Sequence, residues 1–243
     1  MPEPFRIALI TGANKGIGLE TARRLGQAGL RVLVGARTPA LGEAAAAMLA
    51  SEGLDAQFIH IDLNALETLT SAASDIESKF GRLDVLVNNA GITDRADGSP
   101  GRTTPEAVRR IFDTNVHGSL AVTQAMLPLL RQSSSGRIVN VSSGLGSLAL
   151  NGDPDWEFSS VKLFGYNASK AALNMLTVQL AAELAPNGIK VNSADPGFTA
   201  TDLNGHRGIQ KVEEGAEIVV RLALLPNDGP TGGFFSKDGA NPW

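Results

Sequence analysis

A glycine-rich turn that separates a short apolar run from a helical stretch constrains the fold of this chain more than any other feature. The apolar run covers residues 6–10, the turn covers residues 11–18, and the helical pattern continues to about Ala28. This order predicts a buried parallel strand, a phosphate-binding turn and a helix, because the free N–H groups at a helix start favour an anion. The glycine spacing is G-x-x-x-G-x-G rather than the commoner G-x-G-x-x-G, so a plain strand–helix turn remains the alternative.

Each glycine of this turn has its own physical reason to be there. Gly12 can make the tight turn, whereas Gly16 and Gly18 remove side chains where a pyrophosphate must approach the backbone and where the helix packs on the strand. The candidate phosphate-binding residues of the turn are Gly12, Asn14, Lys15, Gly16, Ile17 and Gly18.

Apolar runs and helical patterns continue to alternate along the rest of the chain. Further strands are predicted at residues 31–36, 55–61, 83–87, 136–141, 189–194 and 232–235. Helices are predicted at residues 38–51, 65–80, 104–130 and 212–225, and another helix carries Tyr166 and Lys170 to about residue 185. The alternation predicts an α/β fold, with a Rossmann-type doubly wound parallel sheet of about seven strands flanked by helices in three layers. No repeat or linker divides the chain, so residues 1–243 are expected to form a single domain.

The end of the second predicted strand indicates which dinucleotide this fold would bind. In NAD-binding units an acidic residue at this place holds the ribose 2′-hydroxyl. Here the place is taken by Ala36, with Arg37 beside it and Lys15 in the glycine turn. A 2′-phosphate carries about two negative charges, which cations attract and a carboxylate would repel. The sequence therefore predicts NADP(H) as the cofactor, and the alternative is that Arg37 is only a solvated loop arginine.

Two other strand ends carry residues that suit a backbone lying close to a cofactor. Asp62 and Leu63 end the third predicted strand, where they could meet an adenine. Asn89, Ala90 and Gly91 follow the fourth strand, and their small side chains and amides leave room for a bound molecule. We expect all of these residues to meet at the carboxyl ends of the strands.

Asn115 lies inside the helix predicted at residues 104–130, and Gly118 follows it. Asn and Gly are both poor residues for a helix interior. We therefore expect a local distortion of this helix near Asn115.

Tyr166 is the only tyrosine of the chain and stands four residues before Lys170 on a predicted helix. Residues four apart lie on the same helix face, about 5–6 Å apart at Cβ. A free phenol has a pKa of about 10, and a neighbouring ammonium favours the phenolate and lowers that pKa. The pair could therefore transfer a proton near neutral pH. The alternative is a surface tyrosine and a surface lysine that share a helix turn by chance.

The composition argues against several other classes of function. The formal net charge is -4 and no basic run exceeds two residues, so nucleic acid is not expected as a partner. Without cysteine the chain has no disulfide or thiolate metal site, and its three histidines show no ligand spacing. No signal peptide and no apolar run of about 20 residues is found. We therefore expect a cytoplasmic protein with no metal and no membrane partner.

Taken together and in order, these motifs resemble those of the short-chain dehydrogenase/reductase family, in its shorter one-domain branch. The resemblance extends from Thr11 to Gly239. The residues that carry it are 11–18, Asp62, 88–91, Asn115, Ser143, 166–170 and 196–201. The glycine turn, the Ala36-Arg37 pair and residues 238–243 look most like the NADPH-dependent carbonyl reductases of the family.

The resemblance implies a role for each of these residues. Tyr166 would be the general acid in reduction and the base in oxidation, and Lys170 would lower its pKa and bind the nicotinamide ribose. Ser143, rather than Ser142, would hold the carbonyl oxygen of the substrate. Asn115 would hold a water that links Lys170 to solvent. The residues that would contact the carboxamide and phosphates of the cofactor are Pro196, Gly197, Thr199 and Thr201.

The implied activity is a reversible, NADPH-dependent reduction of a ketone or aldehyde to an alcohol. Reduction of an imine or an activated alkene is one alternative, and a non-catalytic NADP(H)-binding sensor is another. The stretch between Ser143 and Tyr166 is longer than in much of the family, and its Trp156, Phe158 and Phe164 could wall the substrate pocket or simply pack the insertion onto the protein. The substrate and the choice between monomer, homodimer and tetramer stay open.

Overall fold

The computed structural model describes residues 5–243, whose strands all belong to one eight-stranded sheet. The strands are β1 Ile7–Thr11, β2 Arg31–Ala36, β3 Ala56–His60, β4 Val85–Asn88, β5 Arg137–Val141, β6 Lys190–Ala194, β7 Phe234–Ser236 and β8 Gly239–Ala240. Their order across the sheet is β3-β2-β1-β4-β5-β6-β7-β8, and every neighbouring pair is parallel except β7 and β8. The order reverses between β1 and β4, so the predicted doubly wound fold is confirmed.

The short strand β8 is the difference from the predicted sheet of about seven strands. It pairs with β7 in an antiparallel register, in which Ala240 faces Phe235 and Gly239 faces Ser236. A strand of two residues is too short to show any periodicity, so the sequence pattern could not reveal it.

Helices cover both faces of the sheet. They are α1 Gly16–Gln27, α2 Pro39–Ser51, α3 Leu66–Phe80, α4 Pro105–Phe112, α5 Ser119–Leu130, α6 Leu148–Gly152, α7 Phe164–Leu184 and α8 Val212–Ala223. Successive residues of β1 point to opposite faces, as in any strand. Leu9 packs with α3, α5 and α7, whereas Ala8 and Ile10 pack with α1, α2 and α8. The three predicted layers are thus present, with one apolar core on each side of the sheet.

The helix predicted at residues 104–130 is interrupted where the distortion was expected. Asp113–Gly118 form a π-helical turn between α4 and α5, and Asn115 lies within it. A β-carbon on Gly118 would approach the Leu63 backbone oxygen to 3.1 Å, so the turn packs directly against the segment after β3. Wider turns of this kind occur frequently at functional sites.

The chain between β5 and α7 contains little regular structure. It begins with a 3₁₀ turn at Gly144–Gly146, continues through α6, and then forms turns up to residue 163. Helix α7 begins at Phe164 and is 21 residues long, so Tyr166 and Lys170 both lie in its first two turns. Tyr166 and Lys170 are therefore held at the start of a long helix rather than in a loop.

Two kinds of feature are absent from residues 5–243. No helix there has both the length and the apolar character needed to cross a lipid bilayer. Nor do three or more His, Asp or Glu side chains of this part of the chain come together in a way that could hold a metal ion.

Candidate active site

A cleft of about 850 Å³ opens at the carboxyl ends of the strands, beside the point where the strand order reverses. Doubly wound sheets bind their ligands at this place. The predicted cofactor-binding residues that line the cleft are Gly12, Asn14, Lys15, Gly16, Ile17, Gly18, Arg37, Asp62, Leu63, Asn89, Ala90, Gly91, Tyr166, Lys170, Pro196 and Thr201. The fold therefore brings together segments that are far apart in the sequence.

Thr11 and Asn89 hold the glycine turn against the neighbouring strand. The Thr11 hydroxyl accepts hydrogen bonds from the backbone N–H groups of Asn89 and Ala90, both at 3.0 Å. The Asn89 side chain donates to the carbonyl oxygens of Thr11 at 2.8 Å and Gly12 at 3.3 Å. The ends of β1 and β4 are thereby tied together beneath the turn, which fixes its shape.

The glycines of the turn are required by backbone angles and by close contacts. Gly12 and Gly16 have φ angles of 65° and 57°, in the left-handed region that favours glycine. A β-carbon on Gly18 would lie 2.6 Å from the Gly12 carbonyl oxygen and would also collide with the Asn89 amide. Gly18 thus lets the start of α1 pack closely against the turn, and Gly16 leaves the turn without a side chain where the phosphate groups of a dinucleotide could approach the backbone.

The mouth of the cleft carries the two cations that were predicted to select a 2′-phosphate. Arg37 is exposed, lines the cleft and directly follows the buried Ala36. Lys15 also lines the cleft, and its ammonium pairs with the Asp202 carboxylate at 2.5 Å. Both side chains of this ion pair are more than half exposed, so the pair is weak and a phosphate could compete with it for Lys15.

Tyr166 and Lys170 lie one helix turn apart on α7 and are both buried, with exposed fractions of 8% and 4%. The Lys170 Nζ atom lies 5.5 Å from the centre of the Tyr166 ring. It donates a hydrogen bond to the Val141 carbonyl oxygen at 2.8 Å. A β-carbon on Gly91 would lie 3.4 Å from the same Nζ, so the backbone that follows β4 passes close to the lysine.

Burial shifts the pKa values of these two groups in opposite directions. It lowers the pKa of Lys170 to about 8. The pKa of Tyr166 is raised, first by burial and then by the Asp195 carboxylate, while a hydrogen bond with Ser143 opposes the rise. The net shift of the Tyr166 pKa is therefore upward, because desolvation outweighs the contribution that opposes it, and the lowering expected from Lys170 stays a prediction.

The two serines that follow β5 have different surroundings. Ser143 forms a hydrogen bond with the Tyr166 side chain, and its hydroxyl also accepts one from the Leu145 N–H at 3.2 Å. Ser142 is buried, and its hydroxyl donates a long hydrogen bond to the Lys170 carbonyl oxygen at 3.5 Å. Ser143 is thus the serine that stands beside the tyrosine, which agrees with the choice made from the resemblance. Its role toward a substrate stays a prediction.

Asn115, which is buried in the π-helical turn, joins two elements of the site. Its side-chain oxygen accepts a hydrogen bond from the Ile92 N–H at 2.8 Å. Its amide nitrogen donates to the Ile92 carbonyl oxygen and to the Ser169 hydroxyl, both at 3.0 Å. The side chain therefore clamps the loop after β4 to α7, one residue before Lys170. Its part in a proton relay stays a prediction, since its polar atoms already bind Ile92 and Ser169.

Two residues that were predicted to contact the cofactor, Gly197 and Thr199, do not line the cleft. The Thr199 side chain is buried, donates to the Pro196 carbonyl oxygen at 2.9 Å and lies against Gly215 of α8. The loop turns at Gly197, where φ is 69°, so Thr199 points into the protein. The cofactor contacts assigned to these two residues rest on the resemblance alone.

Asp97, which the sequence analysis missed, fixes the start of α7. One of its carboxylate oxygens accepts hydrogen bonds from the Thr103 hydroxyl and the Gly165 N–H, both at 2.9 Å. The other accepts a hydrogen bond from the Tyr166 N–H, also at 2.9 Å. These N–H groups have no partner within the helix, so an external acceptor stabilises them. Asp97 lies in a polar loop 69 residues before Tyr166, and no local pattern marks it.

Asp195, directly after β6, is a second residue that the sequence analysis missed. Its carboxylate accepts hydrogen bonds from the Gly197 N–H at 3.0 Å, from the Asn241 side chain at 3.0 Å and from the Gly144 N–H. Burial raises the pKa of Asp195 despite these donors. The available signal was its place at a strand end, where ligand sites of such sheets lie.

Two of the three insertion aromatics form a cluster near Asp195. The rings of Trp156 and Phe158 meet edge to face with centroids 5.5 Å apart, and Phe158 meets Phe198 at 5.8 Å. Phe164 belongs to the start of α7 and is 44% exposed. Trp156 and Phe158 thus pack with Phe198 rather than with Phe164, and none of these rings lines the cleft. Whether they wall a substrate pocket or only pack the insertion onto the protein stays open.

Comparison with known proteins gives a consistent result. The family model described as short chain dehydrogenase matches residues 6–211. Over 223 residues the chain is 42% identical to the short-chain dehydrogenase anuI of Penicillium roqueforti, which covers 89% of this chain and 88% of that protein. It is 32% identical to carbonyl reductase (NADPH) 1 of Pongo abelii, with 100% of both chains covered. The solved structure of NADPH-bound carbonyl reductase from chicken fatty liver matches with a TM-score of 0.85 and 28% identity, covering 98% of this chain and 99% of that one.

Proposed function

Because the chain belongs to the short-chain dehydrogenase/reductase family, we propose that it is a single-domain, NADPH-dependent reductase of ketones or aldehydes that acts reversibly. The observation that supports this most directly is the cluster of Tyr166, Lys170 and Ser143. Tyr166 and Lys170 line a cleft that also carries Arg37 and Lys15. The cluster suits proton transfer to a carbonyl oxygen. The cations suit a cofactor that bears an extra phosphate.

NADP(H) would be held by the glycine turn, by the strand ends and by the two cations. The turn at Gly16 and the start of α1 would accept the pyrophosphate, and Asn89 would keep the shape of the turn. Arg37 and Lys15 would neutralise the 2′-phosphate, and Ala36 offers no carboxylate to repel it. When bound, the reduced nicotinamide supplies a hydride.

The side chains of the cluster would supply position and a proton. Ser143 would bind the carbonyl oxygen, and Tyr166 would donate a proton to it as negative charge develops there. The raised pKa of Tyr166 keeps the proton on its hydroxyl at neutral pH, which is the form that reduction needs. Lys170, with a pKa lowered to about 8, is still mostly charged at pH 7 and would stabilise the phenolate that remains.

Consumption of NADPH with a panel of ketones, aldehydes, imines and activated alkenes tests the activity. We expect turnover of carbonyl compounds, and a loss of about 10²–10⁴-fold in kcat for Tyr166→Phe, which removes only the hydroxyl. The Kd for NADPH should change much less than kcat. A wild-type protein that binds NADPH but reduces nothing would instead support the sensor alternative, and turnover of imines or alkenes alone would move the proposal to that chemistry.

The ratio of kcat/KM with NADPH to that with NADH tests the cofactor. We expect a ratio well above one for the wild type, and a fall of about tenfold for Arg37→Ala because one charge contact with the phosphate is lost. Arg95→Ala is the matched control, since Arg95 is also exposed but does not line the cleft. A wild-type preference for NADH would overturn the NADPH assignment.

A further inference from the structure

The Asp195 carboxylate is a charged group near Tyr166 that the proposed reaction does not use. Three N–H donors from three segments bind it: Gly197 from its own loop, Gly144 from the turn after β5, and Asn241 from the segment after β8. Such a set of donors holds a carboxylate in one place and favours its charged form. The position of this charge is therefore built into the fold.

Within residues 5–243, Asp195 has no cation to balance its charge. None of the ion pairs formed there includes it. Burial raises its pKa, and no positive side chain contributes to lowering it again. Asp195 is partly exposed, and a carboxylate that is partly removed from water without a counterion is costly, even when it is well hydrogen bonded. A cation that binds beside it would remove part of that cost.

The neighbours of Asp195 suit such a cation. A β-carbon on Gly144 would lie 3.1 Å from Asp195 Oδ2 and 3.2 Å from the Trp156 ring, so the carboxylate and the indole both pack against Gly144 and lie close to each other. Trp156 continues into the aromatic cluster through Phe158. Aromatic faces attract cations, most strongly that of tryptophan. A carboxylate beside aromatic rings is the usual chemistry for binding an amine cation.

We propose that Asp195 is the counterion for a positively charged group on the substrate, and that the enzyme reduces carbonyl compounds which carry a protonated amine or a quaternary ammonium a few bonds from the carbonyl. This inference rests on the proposed carbonyl reduction and names the substrate class of that site.

The charge of Asp195 also acts on the reaction itself. It lies close enough to Tyr166 to disfavour a negative charge on the phenol oxygen. Reduction places negative charge on the carbonyl oxygen and then on Tyr166, so Asp195 opposes the reaction of a neutral substrate. A cation on the substrate offsets this opposition. The same residue therefore favours cationic substrates and disfavours neutral ones.

A matched pair of ketones separates charge from shape. The cationic member is (trimethylammoniomethyl)acetophenone and the neutral member is neopentylacetophenone, in which a carbon replaces the nitrogen, each as its meta and para isomers. With NADPH, we expect the wild type to reduce at least one cationic isomer with a kcat/KM about tenfold or more above that of its neutral counterpart. A wild type that reduces both members equally, or prefers the neutral one, overturns the inference.

Two variants show whether the charge of Asp195 is responsible. Asp195→Asn keeps an oxygen that can accept hydrogen bonds but removes the charge, so the cationic-to-neutral ratio should fall to about one and the neutral ketone should be reduced faster. Asn241→Ser is the matched control, because it removes one donor to the carboxylate and leaves the charge in place. If both variants change the ratio alike, Asp195 has only a structural role and the inference is wrong.

Binding provides a readout that does not depend on turnover. Calorimetry with benzyltrimethylammonium chloride, on the protein with and without NADP⁺, should show binding to the wild type that Asp195→Asn weakens by about tenfold. Reduction of neutral ketones without a preference for cations would defeat this inference and leave the proposed function standing. If no carbonyl compound is reduced at all, the proposed function fails, and the calorimetry alone decides whether Asp195 binds a cation.

Discussion

The two ends of the cleft are built in different ways. The cofactor end consists of residues 12–18, Arg37 and residues 89–91. The proposed substrate end adjoins it around Tyr166 and consists of Asp97, residues 143–158, residues 195–198 and Asn241, of which only Pro196 lines the cleft itself. The cofactor end is shaped mainly by backbone, since its glycines are fixed by φ angles and by contacts with other main-chain atoms. The substrate end is shaped by side chains that reach across long stretches of sequence.

This difference decides what each end can be used for and what a sequence reveals of it. A backbone cradle accepts the phosphates that every dinucleotide shares, and its glycine pattern is visible in a short motif. Side-chain contacts such as the bond from Asn241 to Asp195, which spans 46 residues, leave no local pattern. The substrate end can therefore change by substitution while the cofactor end stays the same.

The largest effect is expected when the backbone of the cofactor end is disturbed. In Gly18→Ala, the added methyl would collide with the Gly12 carbonyl oxygen and the Asn89 amide. We expect the free energy of unfolding to fall by about 1–3 kcal/mol and the Kd for NADPH to rise by about a hundredfold. Chemical denaturation and fluorescence titration measure the two quantities.

Gly152→Ala is the matched control for this variant. Gly152 lies in the insertion near the substrate end, and a β-carbon there would meet no atom within 4 Å. It should change both quantities very little. If Gly18→Ala behaves like Gly152→Ala, the cofactor end is not fixed by its backbone, and the contrast between the two ends disappears.

Lys170 lies between the two ends and should leave a signature in the pH dependence of stability. Its pKa of about 8 in the folded protein is below its ordinary value of 10.5, so the unfolded state binds more protons between these values and stability rises with pH. Above about pH 10 the raised pKa of Tyr166 acts in the opposite direction, because the folded state then keeps a proton that the unfolded state releases. Without cofactor, the free energy of unfolding should rise by about 2 kcal/mol from pH 8 to pH 10, relative to Lys170→Met.

Urea denaturation at each pH tests this expectation. Comparison with Lys170→Met removes the contribution of all other groups that titrate in the same range. If the free energy of unfolding varies with pH in the same way for both proteins, Lys170 is solvated rather than buried and belongs to neither end of the cleft.

A smaller effect is expected from Asp97, which positions the start of α7 from the substrate end. Asp97→Ala removes the acceptor for the N–H groups of Gly165 and Tyr166. We expect a loss of about 1 kcal/mol in the free energy of unfolding and a fall of about fivefold in kcat, with little change in the Kd for NADPH. Steady-state kinetics and cofactor titration separate these quantities.

Two further variants make the role of Asp97 specific. Asp97→Asn keeps one acceptor oxygen and should restore part of kcat. Asp94→Ala is the matched control in the same loop, where the carboxylate binds the Ala96 N–H and Arg110 instead of α7. Equal losses of kcat for Asp97→Ala and Asp94→Ala would mean that the loop as a whole matters and that Asp97 does not position Tyr166.

The smallest effect is expected at the mouth of the cofactor end, where side chains do take part. Asp202→Asn removes the carboxylate that pairs with Lys15, so the lysine is free to bind a phosphate. We expect the affinity for NADPH to rise by at most about threefold, and the gain to shrink in high salt. Glu213→Gln is the control, since it removes a negative charge that also lines the cleft. An equal gain in both variants would point to the net charge of the mouth rather than to the ion pair.

Much of the fold could be predicted because its signals are local. The glycine turn, the buried strands and the poor helix formers near Asn115 each act over a few residues. The structure contains the expected strand and glycine turn, and the expected distortion near Asn115 takes the form of a π-helical turn. The order of the motifs along the chain then places the strand ends at one edge of the sheet. The strand β8 was not predicted, because two residues are too few to show a periodic pattern.

The electrostatics of the site could not be predicted, because they depend on burial. The spacing of Tyr166 and Lys170 predicts that their side chains lie close together, and they do so in the structure. It does not reveal that both side chains are desolvated, or that Asp195 adds a negative charge nearby. For the same reason, the motif placed Thr199 in the correct loop but did not reveal that its side chain points into the protein.

The π-helical turn has a consequence for anyone who wishes to make this protein more heat-resistant. Each residue of an α-helix turns the chain by about 100°, so deleting one residue from Asp113–Gly118 to recover a regular helix would rotate everything before or after the deletion by that amount. Asn115 would then swing away from Ile92 and Ser169. Engineering that idealises this helix would gain local regularity and lose the alignment of the loop and the helix that meet at Lys170.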